Sequence, residues 1–569
     1  MSVSKALRIT IAAAGMAAFA ASAGAETGFE NDFAVTPISL AGSYLAGRSA
    51  DAARDLEAAA NYFTAALGND PENPILMERV LVLRIANGDI EPAAGYAERL
   101  IDIDTRNPLA RLLRGVRAIK AGDLADAEAE MAETARAPLA VLTSGLLTAW
   151  AKQGEGDTDA AFALVDGLSG PSWYEIFKNY HTALIADVAG QKDVAVRAIT
   201  DAFETDGSAL RVVEAYGRIL SSAGKRDQAI EALERFMQTQ PGNPVIGFLL
   251  DELVAGKDPG PLVSSTVEGA AEVLYGLGAA IGTDEGTELP AAYLHLSLYL
   301  KPDSHLALTA LADLLVSADR CEEAIRIYGR IPQESNLRRN ADIQTGFCLD
   351  NLIRTDEAVA LLSKLIEKNP EGLDAIVALG NIFRGRERFA EAAETYSKGI
   401  ATIDEPTAGD WRLFYFRGVA YERSDEWAKS EADLKKALDL NPGQPQVLNY
   451  LDYSWVDMGV NLEEGLDMIR SAVDQRPNDG YIVDSLGWAY FRLGRYEDAV
   501  AQLERAVELK PEDPVINDHL GDAYWRVGRK REATFQWNHA RDLDPEPTDL
   551  EVIVRKLEKG LVTDGASDG

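Results

Sequence analysis

The side chains that could perform catalysis are few and scattered in this chain. Ser222 and Lys225 have the Ser-x-x-Lys spacing, which can place a lysine beside a serine nucleophile. They fall in the segment SSAGKRD, which we interpret as a solvated turn where no burial activates the lysine. The sequence contains no zinc-protease helix, nucleophile elbow or phosphate-binding loop. We therefore predict no catalytic residues and no cofactor.

The candidate metal ligands are isolated as well. The five histidines stand singly in the sequence: His181, His295, His305, His519 and His539. The only two cysteines, Cys321 and Cys348, are predicted to lie at the same end of adjacent packed helices. They could form a disulfide in an oxidising compartment, and the alternative is a pair of small buried residues. Two thiols without a nearby histidine do not make a metal site, so we predict none.

Aromatic residues concentrate near the C-terminus and point to binding. Six of the eight tryptophans lie in the last third of the chain: Trp411, Trp427, Trp455, Trp488, Trp525 and Trp537. Aromatic and arginine side chains on a concave surface are typical of a peptide-binding groove. Whether these residues form such a surface depends on the helices that carry them.

Small residues recur along most of the chain at a period of 34 residues. The thirteen positions are Ala59, Ala93, Ala127, Ala161, Ala195, Ala229, Ala324, Ala358, Ala392, Ser430, Gly465, Ala499 and Ala533. A small residue at this period is typical of the contact between two helices of a repeating pair. One pair buries too little apolar surface to be stable alone, so the pattern predicts a continuous stack of helix pairs.

The motif is clearest in DSLGWAYFRLGRYEDAVAQLERAVELKP, with Leu486, Gly487, Tyr490, Ala499 and Pro511 at the key positions. This segment resembles the tetratricopeptide repeat (TPR), which implies an all-α superhelical solenoid of antiparallel helix pairs. In that register, ten residues share the inner side of successive first helices, and we predict that they line a partner-binding groove. The alternative is that they pack between repeats. They are Asn449, Tyr453, Tyr481, Asp484, Trp488, Arg492, Asp518, Asp522, Trp525 and Arg526.

The period is interrupted once, which predicts two arrays. The register point after Ala229 is Pro290, and the extra residues include the Gly/Pro-rich segment AGKDPGPLVSST. We predict an N-terminal array over residues 26–254, a linker over residues 255–267 and a C-terminal array over residues 268–547. An amphipathic capping helix over residues 548–561 and a flexible tail over residues 562–569 follow.

The N-terminus predicts export. Lys5 and Arg8 precede an apolar stretch of about a dozen residues, and small residues end at Ala25, which is the pattern of a signal peptide over residues 1–25. The apolar stretch is shorter than the ~20 residues that a spanning helix needs, so we expect no transmembrane segment in the mature chain. The net charge of −35 over 569 residues argues against a nucleic-acid partner.

The last 120 residues or so resemble long envelope TPR proteins of Gram-negative bacteria, in particular through NDHLGDAYWRVGRKREATFQW. That family includes outer-membrane lipoprotein adaptors that bind a C-terminal processing protease and present cell-wall hydrolases to it. This chain lacks their lipidated cysteine, and Asp484 and Trp488 stand where chaperone-binding TPR clamps have lysine and asparagine. The resemblance implies a periplasmic scaffold, peripheral to the outer membrane, that binds such a protease or hydrolase, and it leaves the oligomeric state open. The alternative function is binding of carbohydrate or peptidoglycan.

Overall fold

The chain is α-helical throughout the residues that the structure, a computed structural model, describes: 39–134, 137–282 and 286–561. No strand occurs in these three ranges. The prediction of an all-α fold of antiparallel helix pairs is thereby confirmed. The predicted signal peptide over residues 1–25 and the tail over residues 562–569 lie outside the described residues.

The described helices divide into two compact units between residues 362 and 363. The helices of the N-terminal unit are α1 (Leu40–Ala52), α2 (Leu56–Asn69), α3 (Pro74–Ala86), α4 (Ile90–Ile103), α5 (Pro108–Ala121), α6 (Leu124–Ala132), α7 (Pro138–Gly154), α8 (Thr158–Asp166), α9 (Tyr174–Val188), α10 (Lys192–Thr205), α11 (Leu210–Ser222), α12 (Arg226–Thr239), α13 (Pro244–Val254), α14 (Thr266–Ala280), α15 (Glu288–Leu300), α16 (His305–Ser317), α17 (Cys321–Tyr328) and α18 (Arg338–Asn351).

Helix α19 (Thr355–Lys368) begins in the N-terminal unit and ends in the C-terminal unit. The remaining helices of the C-terminal unit are α20 (Leu373–Gly385), α21 (Phe389–Ile400), a 3-10 turn (Ala408–Asp410), α22 (Trp411–Glu422), α23 (Trp427–Leu440), α24 (Pro445–Met458), α25 (Leu462–Gln475), α26 (Gly480–Arg492), α27 (Tyr496–Leu509), α28 (Pro514–Arg526), α29 (Lys530–Asp542) and α30 (Pro547–Lys559).

Several first helices of the pairs begin at an Asn-Pro or Asp-Pro step. The side chains of Asn73, Asn107, Asn243 and Asp513 accept hydrogen bonds from backbone N–H groups two or three residues further along. The proline that follows has no N–H group, and its fixed φ already suits the first helical position. These short sequences therefore fix where the pairs begin.

The turn inside each 34-residue pair contains a residue with a positive φ angle at the same place, and the α24–α25 turn has a second one, Asn461. Glycine occupies this place at Gly88, Gly122, Gly156, Gly190, Gly224, Gly459, Gly494 and Gly528, and other residues occupy it at Arg54, Asp319, Ile353, Glu387 and Asp425. A left-handed residue is needed here because the chain leaves one helix and reverses within three or four residues. The turn thus repeats with the same period as the small contact residues.

The helices on both sides of residues 255–265 belong to one compact unit, and this corrects the predicted organisation. The hairpin of α14 and α15 packs on α3, α5, α7 and α9 of the preceding repeats, whereas α16 to α18 continue from α15. The segment predicted as a linker between two arrays therefore joins helices that are packed together, and the boundary between units lies at residues 362 and 363 instead. The physical reason is the apolar surface of α14, which becomes buried on nearly all sides.

The α14–α15 hairpin lies tightly against the first helices of the N-terminal unit. Trp150 of α7 is fully buried, and a side chain at Gly269 of α14 would clash with its indole ring. The Trp150 Nε1–H group donates to Nδ1 of His181 at 3.2 Å. Burial lowers the pKa of His181 to about 4, so this imidazole is neutral at pH 7 and suits an apolar contact.

Ion pairs inside the same contact hold α14 against α9 and α11. Both oxygens of Glu272 accept hydrogen bonds from Arg211, at 2.8 and 2.6 Å, and Tyr180 donates to the same carboxylate at 2.8 Å. Burial acts to raise the pKa of Glu272, but the charge and hydrogen bonds of Arg211 outweigh it and hold that pKa below its usual value. A carboxylate that is only 7% exposed is thus fully paired.

One helix pair of the C-terminal unit departs from the packing rule. Asp452 of α24 precedes the turn residue Gly459 by the same seven residues that separate Gly487 and Gly521 from their own turn glycines. The carboxyl group therefore stands where the other pairs have glycine, and it faces Gly465 of α25. Asp452 is fully buried, and both of its oxygens lack a hydrogen-bond partner in the described part of the chain. Burial, with a smaller effect of Glu464, raises its pKa to about 9.

Gly269→Ala should destabilise the N-terminal unit, because the added methyl group meets the buried ring of Trp150. We expect a loss of about 1 to 3 kcal/mol in the free energy of unfolding. Gly276→Ala, on the same helix and in ordinary contact with its neighbours, is the matched control and should be neutral or slightly stabilising. Urea unfolding followed by circular dichroism measures both, and equal midpoints for the two variants would contradict the packing described.

Asp452→Asn should become increasingly stabilising, relative to the natural chain, as the pH rises. The folded-state pKa of Asp452 lies above its unfolded value, so the natural chain loses stability between about pH 4 and pH 9. The difference between the two proteins should grow by up to about 1.4 kcal/mol per pH unit in that window. Urea midpoints at pH 5, 7 and 9 test this. The difference for Asp467→Asn, whose side chain is 79% exposed on α25, should stay small at every pH.

Candidate partner-binding site

The first helices of the pairs lie on the inner side of each unit. In the N-terminal unit α5 contacts α7, and α7 contacts α9; in the C-terminal unit α24 contacts α26, and α26 contacts α28. The second helices of successive pairs make no comparable contacts in the part of the chain that the structure describes. The first helices are therefore closer together, which is the geometry of the concave side of a repeat array.

This inner side is occupied in the N-terminal unit and less so in the C-terminal unit. The α14–α15 hairpin covers α3, α5, α7 and α9. In contrast, the contacts of α22, α24 and α26 with other described helices are limited to their own pair and the adjacent pairs. Within the described part of the chain, the inner side of these three helices is therefore uncovered.

Three of the predicted groove residues are covered by the last helix, α30, which corrects their assignment to an open groove. Lys556 of α30 donates to Asp518 at 2.7 Å and to Asp522 at 2.8 Å, and Trp525 lies against Gly560. Burial raises the pKa of Asp522 to about 6, although the Lys556 charge opposes it. These residues close the end of the stack, and the physical reason is that the last pair has no further repeat to cover it.

Asp484 and Trp488 contribute to packing between repeats. Asp484 is only 6% exposed, and its carboxylate lies 3.0 Å from Nδ1 of His519. The indole of Trp488 stacks on His519, with ring centroids 4.0 Å apart, and on Phe491 at 4.8 Å. Asp484 therefore packs between repeats, which was the alternative to a place in the groove. Stacking also takes up ring surface of Trp488 that a bound sugar would need.

The other five predicted residues differ in accessibility. Tyr453 is 5% exposed, and Arg526 lies over the ring of Tyr496 at 5.8 Å. Asn449 of α24 and both Tyr481 and Arg492 of α26 are partly exposed. The structure thus brings Asn449 and the α26 residues onto adjacent inner helices, while it buries Tyr453.

Two polar atoms on these adjacent helices lack partners. Oδ1 of Asn449 is a hydrogen-bond acceptor and Nε1 of Trp488 is a donor, and neither has a partner in the described part of the chain. An unpaired buried polar atom costs about 1 to 3 kcal/mol, so such atoms are usually satisfied by protein, water or ligand. Both atoms are buried, so they add no accessible hydrogen-bonding group to the inner side of these helices.

The residues considered for catalysis are not arranged for it. The hydroxyl of Ser222 donates to the carbonyl of Ile219 at 2.9 Å, and both Ser222 and Lys225 are exposed. Within the described residues, no group of three or more His, Cys, Asp or Glu side chains could hold a metal ion. None of the described helices combines the length and the apolar character needed to span a membrane.

The two cysteines lie beside each other as buried free thiols. Cys321 is 3% exposed and Cys348 is fully buried. Burial raises the pKa of Cys348, and a hydrogen bond with the thiol of Cys321 adds to this effect. The thiol of Cys348 is therefore not activated as a nucleophile. Their oxidation to a disulfide stays a prediction.

A cavity of about 270 Å³ lies in the N-terminal unit between α5, α6, α7 and α15. Its walls are mostly apolar and include Leu112, Met131 and Leu289. The polar groups of Thr143 and Tyr293 in its wall bond to each other at 3.0 Å. The cavity therefore has few free polar groups with which to orient a ligand.

Lys556 is the functional residue that sequence reasoning missed in this region. It lies one turn after Ile553 on the side of α30 that packs on the last pair. A lysine on the apolar side of an amphipathic helix indicates a buried carboxylate partner, here Asp518 and Asp522. That signal was available in the sequence of α30.

Comparisons with known proteins agree with the repeat pattern. The tetratricopeptide repeat model matches residues 44–108 and 354–406, and the TPR repeat model matches residues 487–528. The TPR repeat-containing protein PA4667 of Pseudomonas aeruginosa is 27% identical over 147 residues, which cover 26% of this chain and 24% of that protein. Tetratricopeptide repeat protein 13 of Homo sapiens is 26% identical over 186 residues, 32% of this chain and 21% of that protein. The matched regions thus span about a quarter or less of these relatives.

Two solved structures are similar over most of the chain. The APC/C hetero-tetramer Cut9–Hcn1 aligns with a TM-score of 0.38 and 13% identity, covering 91% of this chain and 96% of that one. Yeast Tom70 aligns with a TM-score of 0.32 and 13% identity, covering 92% and 95%. The 34-residue period, the helix pairs and the matching repeat models together support tetratricopeptide repeats in this chain.

Proposed function

We propose that this chain is a non-enzymatic scaffold that binds other proteins on the inner side of its C-terminal unit. Tetratricopeptide repeat folds generally serve as scaffolds for protein–protein interaction. The location is supported by a difference between the units: the α14–α15 hairpin covers the first helices of the N-terminal unit, whereas no described helix covers α22, α24 and α26 in this way.

The residues at this surface suit a polypeptide. Tyr481 and Arg492 are partly exposed on α26, and aromatic and arginine side chains are enriched where protein interfaces are strongest. Because stacking occupies ring surface of Trp488, a protein partner is favoured over a carbohydrate.

A more specific role is proposed from the resemblance of the C-terminal region to envelope TPR adaptors. The chain would act in the periplasm, after removal of residues 1–25, as an adaptor for a C-terminal processing protease or a cell-wall hydrolase. The pattern of Lys5, Arg8 and the small residues before Glu26 supports export.

Site-specific photocrosslinking in intact cells tests the location of the binding surface. A photoreactive amino acid at Tyr481 or Arg492 should capture partner protein, because both side chains border the inner side of α26. The same group at Phe535, which is 69% exposed on the second helix α29, is the matched control and should capture little. Equal capture at Phe535, or no capture at Tyr481 and Arg492, would refute the proposed surface.

The adaptor role predicts both location and partner. Cell fractionation should recover a chain that begins at Glu26 with the periplasmic fraction, as determined by N-terminal mass spectrometry. Purified mature protein should also co-elute in gel filtration with the C-terminal processing protease of the same organism. Recovery of the full-length chain in the cytoplasm would contradict export. Separate elution of the two proteins would exclude the protease as the partner but would leave the scaffold proposal in place.

A further inference from the structure

Two arginines on the first helices of the C-terminal unit have no carboxylate partner. We propose that Arg384 of α20 and Arg412 of α22 form a binding site for the carboxylates of an acidic segment of the partner protein. This inference rests on the proposed scaffold function and gives the chemistry of its ligand. Arg384 lies over the ring of Phe416 and Arg412 lies one helical turn before Phe416, so the ligand would have acidic residues on both sides of an apolar one.

Arg384 is held in place by aromatic rings rather than by a counter-charge. Its guanidinium carbon lies 5.1 Å from the centre of the Phe416 ring, and the Tyr396 ring stacks on Phe416 at 6.0 Å. It donates to Oδ1 of Asn381 at the long distance of 3.5 Å and hydrogen-bonds with the side chain of Tyr396, and its Nε atom is buried without a partner in the described part of the chain. The guanidinium is therefore positioned while its charge stays unpaired within the described residues.

Several partly buried arginines in the described part of the chain form ion pairs, whereas Arg384, like Arg423 and Arg526, forms none. Arg111 bonds to Glu130 at 2.6 Å, Arg211 to Glu272 at 2.6 Å and Arg417 to Asp433 at 2.7 Å. The chain has 91 acidic residues and 56 lysines and arginines, so carboxylates are plentiful. An unpaired arginine in such a chain is best explained by a carboxylate that another molecule supplies.

Arg412 extends the site along α22. It is exposed, lies four residues before Phe416 and is therefore on the same side of the helix. Its guanidinium carbon lies 5.0 Å from the ring centre of its neighbour Trp411, and it forms no ion pair with a described residue. A cation, an aromatic ring and a second cation thus follow one another across the α20–α22 junction.

The arrangement fits an extended peptide. A guanidinium group donates two parallel hydrogen bonds to a carboxylate, so each arginine can fix one acidic side chain. The guanidinium carbon of Arg384 lies 5.1 Å from the ring centre of Phe416, and Phe416 and Arg412, four residues apart on one helix, are about 6 Å apart. The sum of these distances corresponds to roughly three residues of extended chain. The ring of Phe416 would then contact an apolar residue between two acidic ones.

Selection from a displayed library of random dodecapeptides tests this inference on the full mature chain. We expect the selected peptides to be enriched in Asp and Glu around an apolar residue. The affinity of a selected peptide, measured by fluorescence anisotropy, should fall about tenfold for Arg384→Gln or Arg412→Gln. Arg384→Lys, which keeps the charge but not the planar fork, should lose affinity as well. Arg326→Gln, at an arginine that is 68% exposed in the N-terminal unit, is the control and should bind as the natural chain does.

The outcomes separate this inference from the scaffold proposal. Selected peptides without an excess of acidic residues would overturn the carboxylate site, while peptide binding itself would still support the scaffold. Unchanged affinity in Arg412→Gln would also overturn the site, since this exposed side chain can be replaced without disturbing the fold. Circular dichroism of each variant verifies folding. The absence of any selected peptide would overturn the site, and crosslinking at Tyr481 tests the scaffold independently.

Discussion

The structure depends on one constraint: a pair of short helices buries too little apolar surface to stay folded alone, so every pair must be covered by another element. Inside each run of repeats the next pair supplies this cover. Where a run of repeats ends, a different helix covers the last pair. Helix α13 covers α11 and α12, and α30 covers the last pair through Ile553 and Lys556. The capping elements are therefore consequences of the same burial that forms the repeats.

The same constraint explains why small residues recur and what happens when one is replaced. Two helices approach closely only where neither carries a bulky side chain, and Gly487 and Ala499 satisfy this in the pair α26–α27. In α24 the glycine position is taken by Asp452, and the second helix compensates with Gly465. Close packing is thus preserved at the expense of an unpaired buried carboxyl group, which becomes costly only when it ionises.

Cover and function compete for the same inner surface. In the N-terminal unit the α14–α15 hairpin is held there by a fully paired carboxylate, Glu272, and by the contact of Gly269 with Trp150. That surface is part of the core. In the C-terminal unit the inner sides of α22, α24 and α26 have no comparable cover among the described residues, and Arg384 of α20 and Arg412 of α22 form no ion pair there. Arginines without a counter-charge on an uncovered surface are what a binding partner can complement, and this difference supports placing the scaffold's site in the C-terminal unit.

The sequence by itself determined the elements that depend on local contacts. The small residues from Ala59 to Ala533 determined the helix pairs and the all-α fold, because the two helices of a pair are adjacent in sequence and pack together at these residues once both helices form. The sequence could not place the α14–α15 hairpin, because Gly269 and Trp150 are more than a hundred residues apart and no period connects them. For the groove, the repeat register determines that a residue lies on the inner side, but it does not determine whether that residue is exposed. Whether α30 covers it, as at Asp518, or leaves it exposed, as at Tyr481, was decided only by tertiary packing, because burial depends on which distant elements compete for the surface.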